Sequence, residues 1–180
     1  MNSIPRYAPD VSKALEVILW IARERPGFDV YHIVKAVYFA DKKHISEFGR
    51  PILGDDYEAA WFGPLPQVVY GLLRHDPISL LALGNAGPLP FKVDDAHRVF
   101  AHRDPNLRRL SESDVDALRF GVQGVDGKTF NELYEETHKD PAYLRAQGGR
   151  MDYRDFLPDD DPDKAEKAAY ISEAAAESVF

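Results

Sequence analysis

Asp41 and His44 stand three residues apart in the segment VYHIVKAVYFADKKHISEF, a spacing that puts both on one face of a helix. Asp41 follows Val37 by four residues and precedes Ile45 by four, and His44 precedes Phe48 by four. Both therefore fall within an apolar stripe, where a carboxylate needs partners. Two chemistries suit the pair: acid/base work or half of a metal site. No matching ligand set accompanies them. The expectation is a polar network in which Asp41 accepts backbone N–H bonds and the pair holds the 50–56 loop.

The remaining ionisable candidates read in the same way. Asp55 and Asp56 follow Gly54. Adjacent acids can hold a cation, but in a loop they more often cap turns. Asp159, Asp160 and Asp161 lack the spacing and glycine of a calcium loop and read as a solvated capping run. Thr137-His138 falls near a helix end, where such residues cap the last turn. Tyr57, Trp61, Phe62 and Tyr70 gather around Gly63-Pro64. Some of these aromatics belong in a core. Others suit a protein-binding surface, since aromatic side chains dominate binding hot spots.

Several function classes are disfavoured. The 180-residue chain carries a net charge of −8, so it repels phosphate backbones, and no basic recognition helix is evident. There is no cysteine, which excludes disulfides, thiolate zinc sites and a cysteine nucleophile. No phosphate loop, Gly-x-Ser-x-Gly elbow or His-Glu-x-x-His motif occurs. The longest apolar run, Val17 to Ala22, is too short to span a bilayer. No basic-then-apolar leader pattern opens the sequence. The expected location is cytoplasmic, with neither cofactor nor metal.

The elements that must position these residues are mostly helical. Asp10 or Pro9 opens a first helix stopped by Pro26-Gly27, and Asp29 caps a second that ends at Gly49. Tyr57 to Phe62 reads as a strand. Gly63-Pro64-Leu65-Pro66 breaks it and starts a third helix running to about His75, followed by a turn or two over Pro77 to Leu83 and a loop at Gly84 to Pro88. Phe91 to Val93 and Arg98 to Ala101 flank the turn Asp94-Asp95 and join the first strand in one small antiparallel sheet. Ser111 caps the next helix, Thr129 and Glu132 form a capping box, and Asp140-Pro141 opens a short helix. The expected fold class is mainly α (α+β), a compact helical domain with a small antiparallel sheet or hairpin. It divides into a domain over residues 1–157 and an acidic, alanine-rich C-terminal helix or tail over 158–180, the helix running from Asp163 to about Ser178. The tail holds too few large apolar residues (Tyr170, Ile171, Val179 and Phe180) to bury a full face, and is expected to fray or to be held by a partner.

Several pieces in a fixed order carry a resemblance. Lys35-Ala36-Val37-Tyr38-Phe39-Ala40-Asp41, Gly49-Arg50-Pro51-Ile52, Gly54-Asp55, Tyr57 and Gly63-Pro64-Leu65-Pro66 resemble the Panacea domain of the SocA-like antitoxins, also described as a phage-associated GepA-like domain. Glu132-Leu133 through Thr137-His138, Pro141, and Met151 to Phe156 extend the likeness, which covers about Ser12 to Leu157. Leu65 stands where the family often has valine. The resemblance implies neutralisation of a toxin encoded alongside. In the SocA-like branch it also implies delivery of that toxin to the ClpXP protease. On this view Trp61, Phe62, Pro64, Leu65 and Tyr70 are candidates for binding the toxin. Tyr170, Ile171, Val179 and Phe180 are candidates for meeting the protease. Asp41, His44, Asp55, Asp56, Thr137 and His138 form a structural polar network. The alternative is an acid/base or metal-dependent enzyme built on Asp41 and His44.

Overall fold

The computed structural model describes residues 3–84 and 87–178. Asn85-Ala86 of the expected loop, and Val179 and Phe180 of the tail, lie outside the described residues.

Local capping sets the helix starts. Asp10 accepts from Lys13 N–H to open α1 (Val11–Glu24), and Asp29 accepts from His32 N–H to open α2 (Val30–Phe48). Gly49, with φ 67°, ends α2. Ser111 and Thr129 form capping boxes at α5 (Glu112–Val125) and α6 (Phe130–His138). Between these lie the short α3 (Gln67–Leu73) and α4 (Pro77–Ala82), and α7 (Pro141–Ala146) follows α6.

α2 runs through the centre of the molecule. One side packs with α1, α3 and α5 around Ile18, Leu19, Ile33, Val37, Leu72 and Leu118. Its other side meets a second cluster built on Tyr38, Ile45, Tyr57, Tyr153 and Phe156. α2 and α5 approach so closely that a methyl group on Gly121 would lie 2.1 Å from the carbonyl oxygen of Ala36.

Two expectations are corrected. Gly63 to Pro66 does not start a helix. It is strand β2 (Gly63–Pro66), paired antiparallel with β1 (Tyr57–Ala60) in the register Tyr57↔Pro66 to Ala60↔Gly63. Trp61 and Phe62 form the turn, and α3 begins at Gln67. The strand expected to reach Phe62 thus ends at Ala60. Nor does one sheet form: β3 (Phe91–Val93) and β4 (Val99–Ala101) make a separate hairpin. The described residues therefore form a mainly helical fold with two small antiparallel hairpins.

The tail also departs from expectation. α8 (Lys164–Ser178) does not fray from the domain; it seats Ile171 on the second cluster and buries Ala175 as well. The Tyr7 hydroxyl donates to the Ile171 carbonyl, and Lys167 donates to the Ser46 carbonyl. A few apolar residues suffice because the receiving cluster is already built of buried aromatic rings.

Candidate functional site

Asp41 and His44 are joined to the loop that follows α2. One Asp41 oxygen accepts from Ile52 N–H at 2.7 Å and the other from the Tyr57 hydroxyl at 2.8 Å. His44 Nδ1 faces the Arg50 carbonyl at 2.7 Å, so Nδ1–H donates there and Nε2 accepts from the Ser113 hydroxyl at 3.0 Å. Lys13 connects the two halves, donating to the Ile52 carbonyl and pairing with Asp114, which lies 3.5 Å from His44 Nε2. Burial pushes the Asp41 carboxyl up to about 6 against its two hydrogen bonds, and burial pulls the His44 imidazole down.

Asp55 caps a helix at a distance. α3 starts after Pro66, which has no side chain able to cap it. The two Asp55 oxygens accept from Val68 and Val69 N–H at 2.9 and 3.0 Å. Burial raises this carboxyl to about 7, while the amide bonds pull the other way. Asp56 pairs with Arg150 and, more loosely, with Arg6. Thr137 donates to the carbonyls of Leu133 and Tyr134. His138 stacks on Tyr134 and places Nε2 3.0 Å from the Trp61 carbonyl, bracing the hairpin turn from behind. Asp41 and His44 are thus tied to the 49–56 loop, Asp55 to the start of α3 and His138 to the β1–β2 turn, while Asp56 pairs with Arg150 and Arg6 and Thr137 bonds within α6. Among the described residues no group of three or more His, Asp or Glu side chains could hold a metal ion.

The open surface has a different character. A groove of about 670 Å³ runs between the first turns of α2, the β1–β2 turn, α3 and the β3–β4 turn. Tyr31, Trp61, Phe62, Leu65 and Tyr70 line it. Trp61 is 80% exposed and Phe62 56%. The Phe62 ring meets Phe130 edge-on at 5.8 Å, and Phe130 packs on Tyr31 at 4.4 Å. Pro64, expected to contact a partner, is buried in β2 and supports the turn instead. Ile171 is buried under α8 and offers no surface, whereas Tyr170 is half exposed.

One residue of this groove was not singled out from the sequence. Lys35 lines it and is only 1% exposed. Its Nζ donates to the Pro64 carbonyl at 2.9 Å and lies 4.7 Å from the centre of the Tyr31 ring. Among the described residues no carboxylate pairs with it, and burial lowers the amine to about 7. The available signal was its position four residues after Tyr31 and three before Tyr38, inside the apolar face of α2.

The arrangement is that of a binding scaffold, with its carboxylates tied into the fold and its open surface aromatic. Residues 33–143 match the family model for antitoxin SocA-like, Panacea domain. That is more than half of the chain, which therefore belongs to this family. Membership supports an antitoxin role. No curated protein and no solved structure matches the chain.

Proposed function

We propose that this chain neutralises a toxin encoded beside it by binding that protein directly, with the β1–β2 turn and the adjoining groove as the docking surface. The observation that carries this reading is the exposure of Trp61 and Phe62 at the tip of a braced hairpin. Large aromatics exposed to water are unfavourable until a partner covers them, which suits a hot spot. The net charge of −8 would steer a basic toxin toward the chain.

In the adaptor form of this reading the bound toxin is handed to ClpXP in the cytoplasm. The outer face of α8, with Tyr170, is the described surface available to the protease. Tethering raises the toxin's effective concentration at the protease without a new catalytic group. The enzymatic alternative has less support. Asp41 is 0% exposed, both its oxygens are engaged, and neither it nor His44 lines the groove.

Co-expression with the product of the adjoining gene, with and without active Clp protease, tests the proposal. A stable complex in which the toxin persists indicates occlusion. A toxin that accumulates only when the protease is disabled indicates an adaptor. No complex in either strain refutes direct binding.

A further inference from the structure

Among the described residues, the Lys35 amine, at the base of an aromatic groove, has no counter-ion. The side chain is 1% exposed, yet among the described residues one hydrogen bond, to the Pro64 carbonyl, accompanies the Tyr31 ring face. An ammonium group has three donors, and a buried one is retained at a cost unless something pairs with it. Elsewhere the chain supplies such partners: Lys13 has Asp114, and Lys42 has Asp140. The backbone is also shaped around this amine. Gly63 has φ 97°, and a Cβ there would lie 2.7 Å from Thr137 Oγ1 and 3.0 Å from Lys35 Nζ. Arg74 and His97 add basic groups to the lining, and the carboxylate of Asp29, which also lines it, is engaged by the His32 amide and ring, in a chain whose net charge is −8.

The geometry points to a carboxylate subsite: Lys35 anchors an acidic side chain, flanked by apolar residues, of the toxin segment that enters this groove. This deepens the docking reading above and rests on it. The toxin as a whole can be basic, since one buried carboxylate is all the subsite takes. The aromatic walls receive the flanking apolar residues. Burial of the ion pair under the partner restores to Lys35 the counter-charge the free protein lacks.

Proton linkage separates this from a merely structural lysine. Pairing with a carboxylate raises the Lys35 pKa from about 7, so the complex binds a proton that the free protein lacks above that pH. The association constant should then fall by up to about tenfold per pH unit above neutrality. Other titratable or charged groups line the same space: Asp29 at the cap of α2, Tyr31 on α2, Tyr70 on α3, Arg74 just after it and His97 in the β3–β4 turn. His32 pairs with Asp29, and Tyr134 and His138 stack behind Phe130. The contribution of Lys35 is the difference between wild type and Lys35→Met, which keeps the length of the side chain and removes its charge.

The experiment measures affinity for the co-encoded toxin from pH 6 to 9 for wild type, Lys35→Met and Trp61→Ala. A second measurement follows the Lys35 amine in 15N-lysine-labelled wild type with 3-phenylpropionate or its amide, and needs no variant to fold. Support is a steep alkaline loss of affinity in wild type, its absence in Lys35→Met, and an upward Lys35 shift with the carboxylate alone. If Trp61→Ala weakens the complex while Lys35→Met binds with an unchanged pH slope, the carboxylate subsite is wrong and the docking reading stands. If the small carboxylate shifts Lys35 but toxin binding has no slope, the subsite serves a free ligand and the proposal is overturned. If neither Trp61→Ala nor Lys35→Met changes toxin binding, the groove itself is not the docking surface.

Discussion

The Tyr57 hydroxyl donates a 2.8 Å hydrogen bond to Asp41, and both side chains are sealed from water. The bond ties β1 to the centre of α2, while the second Asp41 oxygen holds Ile52 N–H. Asp41→Asn places an amide N–H₂ against one of two donors, so we expect a loss of about 1–3 kcal/mol. Tyr57→Phe removes the other end of the same bond. The two changes should therefore be non-additive in a urea-unfolding double-mutant cycle. Strict additivity would show that the bond does not couple β1 to α2.

The buried ionisable groups predict a stability minimum near neutrality. Asp41 and Asp55 have carboxyls raised to about 6 and about 7. Between the ordinary carboxylate value and those figures the folded state holds more protons than the unfolded chain, so their contribution falls as pH rises. Lys35 has an amine lowered from 10.5 to about 7. Between those values the unfolded chain holds more protons, so its contribution rises with pH. Each slope is at most about 1.4 kcal/mol per pH unit. Urea midpoints measured from pH 4.5 to 9.5 should dip near 7. Lys35→Met should flatten the alkaline arm alone, and Asp55→Asn should lessen the acid arm, leaving the part Asp41 supplies. An alkaline arm that survives in Lys35→Met must belong to another group.

Trp61 and Phe62 should matter for binding far more than for folding. Replacing Trp61, which is 80% exposed, with alanine should change stability by no more than about 0.5 kcal/mol. If it anchors the toxin, the complex should lose about 2 kcal/mol or more, some thirtyfold in affinity. Calorimetry of the purified pair, beside thermal melting of the free variant, reads both quantities. Equal affinities in wild type and Trp61→Ala would remove the hairpin tip from the interface.

Two glycines on one helix should respond in opposite directions. Gly121→Ala would drive a methyl group to 2.1 Å from the Ala36 carbonyl. That forces α2 and α5 apart at a cost of about 1–3 kcal/mol or more. Gly124→Ala meets only the edge of the Phe39 ring at 3.5 Å, an ordinary contact. It should gain up to about 1 kcal/mol from helix propensity. Melting temperatures moving the same way for both would mean that the close approach at Gly121 is not what holds the helix spacing.

What was legible in the sequence was what is local. Asp10, Asp29, Ser111 and Thr129 cap helices whose first turns lie within three residues of them, so type and position alone announced them. Gly63 to Pro66 carries breaker residues that suit a helix start equally well, and only pairing with Tyr57 to Ala60 makes it a strand. Asp55 caps amides 13 and 14 residues away, and Lys35 meets a carbonyl 29 residues away. Such partners are chosen by the folded chain, not by spacing. The polar character of Asp41 and His44 within an apolar stripe was visible, but the identity of their partners was not.

The tail supplies the last expectation. Ile171 is buried against the aromatic cluster that includes Tyr38 and Phe156, while its neighbour Tyr170 is half exposed and reaches toward Gly49. The seat is reinforced by the Tyr7 hydroxyl and by Lys167, which ties α8 to the carbonyl at the end of α2. Ile171→Ala opens a cavity that the surrounding rings cannot easily refill, so it should cost about 2–5 kcal/mol. Truncation after Leu157 exposes the whole seat and should cost at least as much as the point variant. Tyr170→Ala removes a half-exposed ring and should leave stability within about 1 kcal/mol. Urea unfolding of the three variants orders them. If the truncated chain is as stable as the full one, α8 does not belong to the folded core, and its docking to the second cluster contributes nothing. If the expected order holds, any loss of toxin delivery on truncation must be compared with Tyr170→Ala before it is assigned to a protease contact, because only that variant alters the outer face while leaving the seat intact.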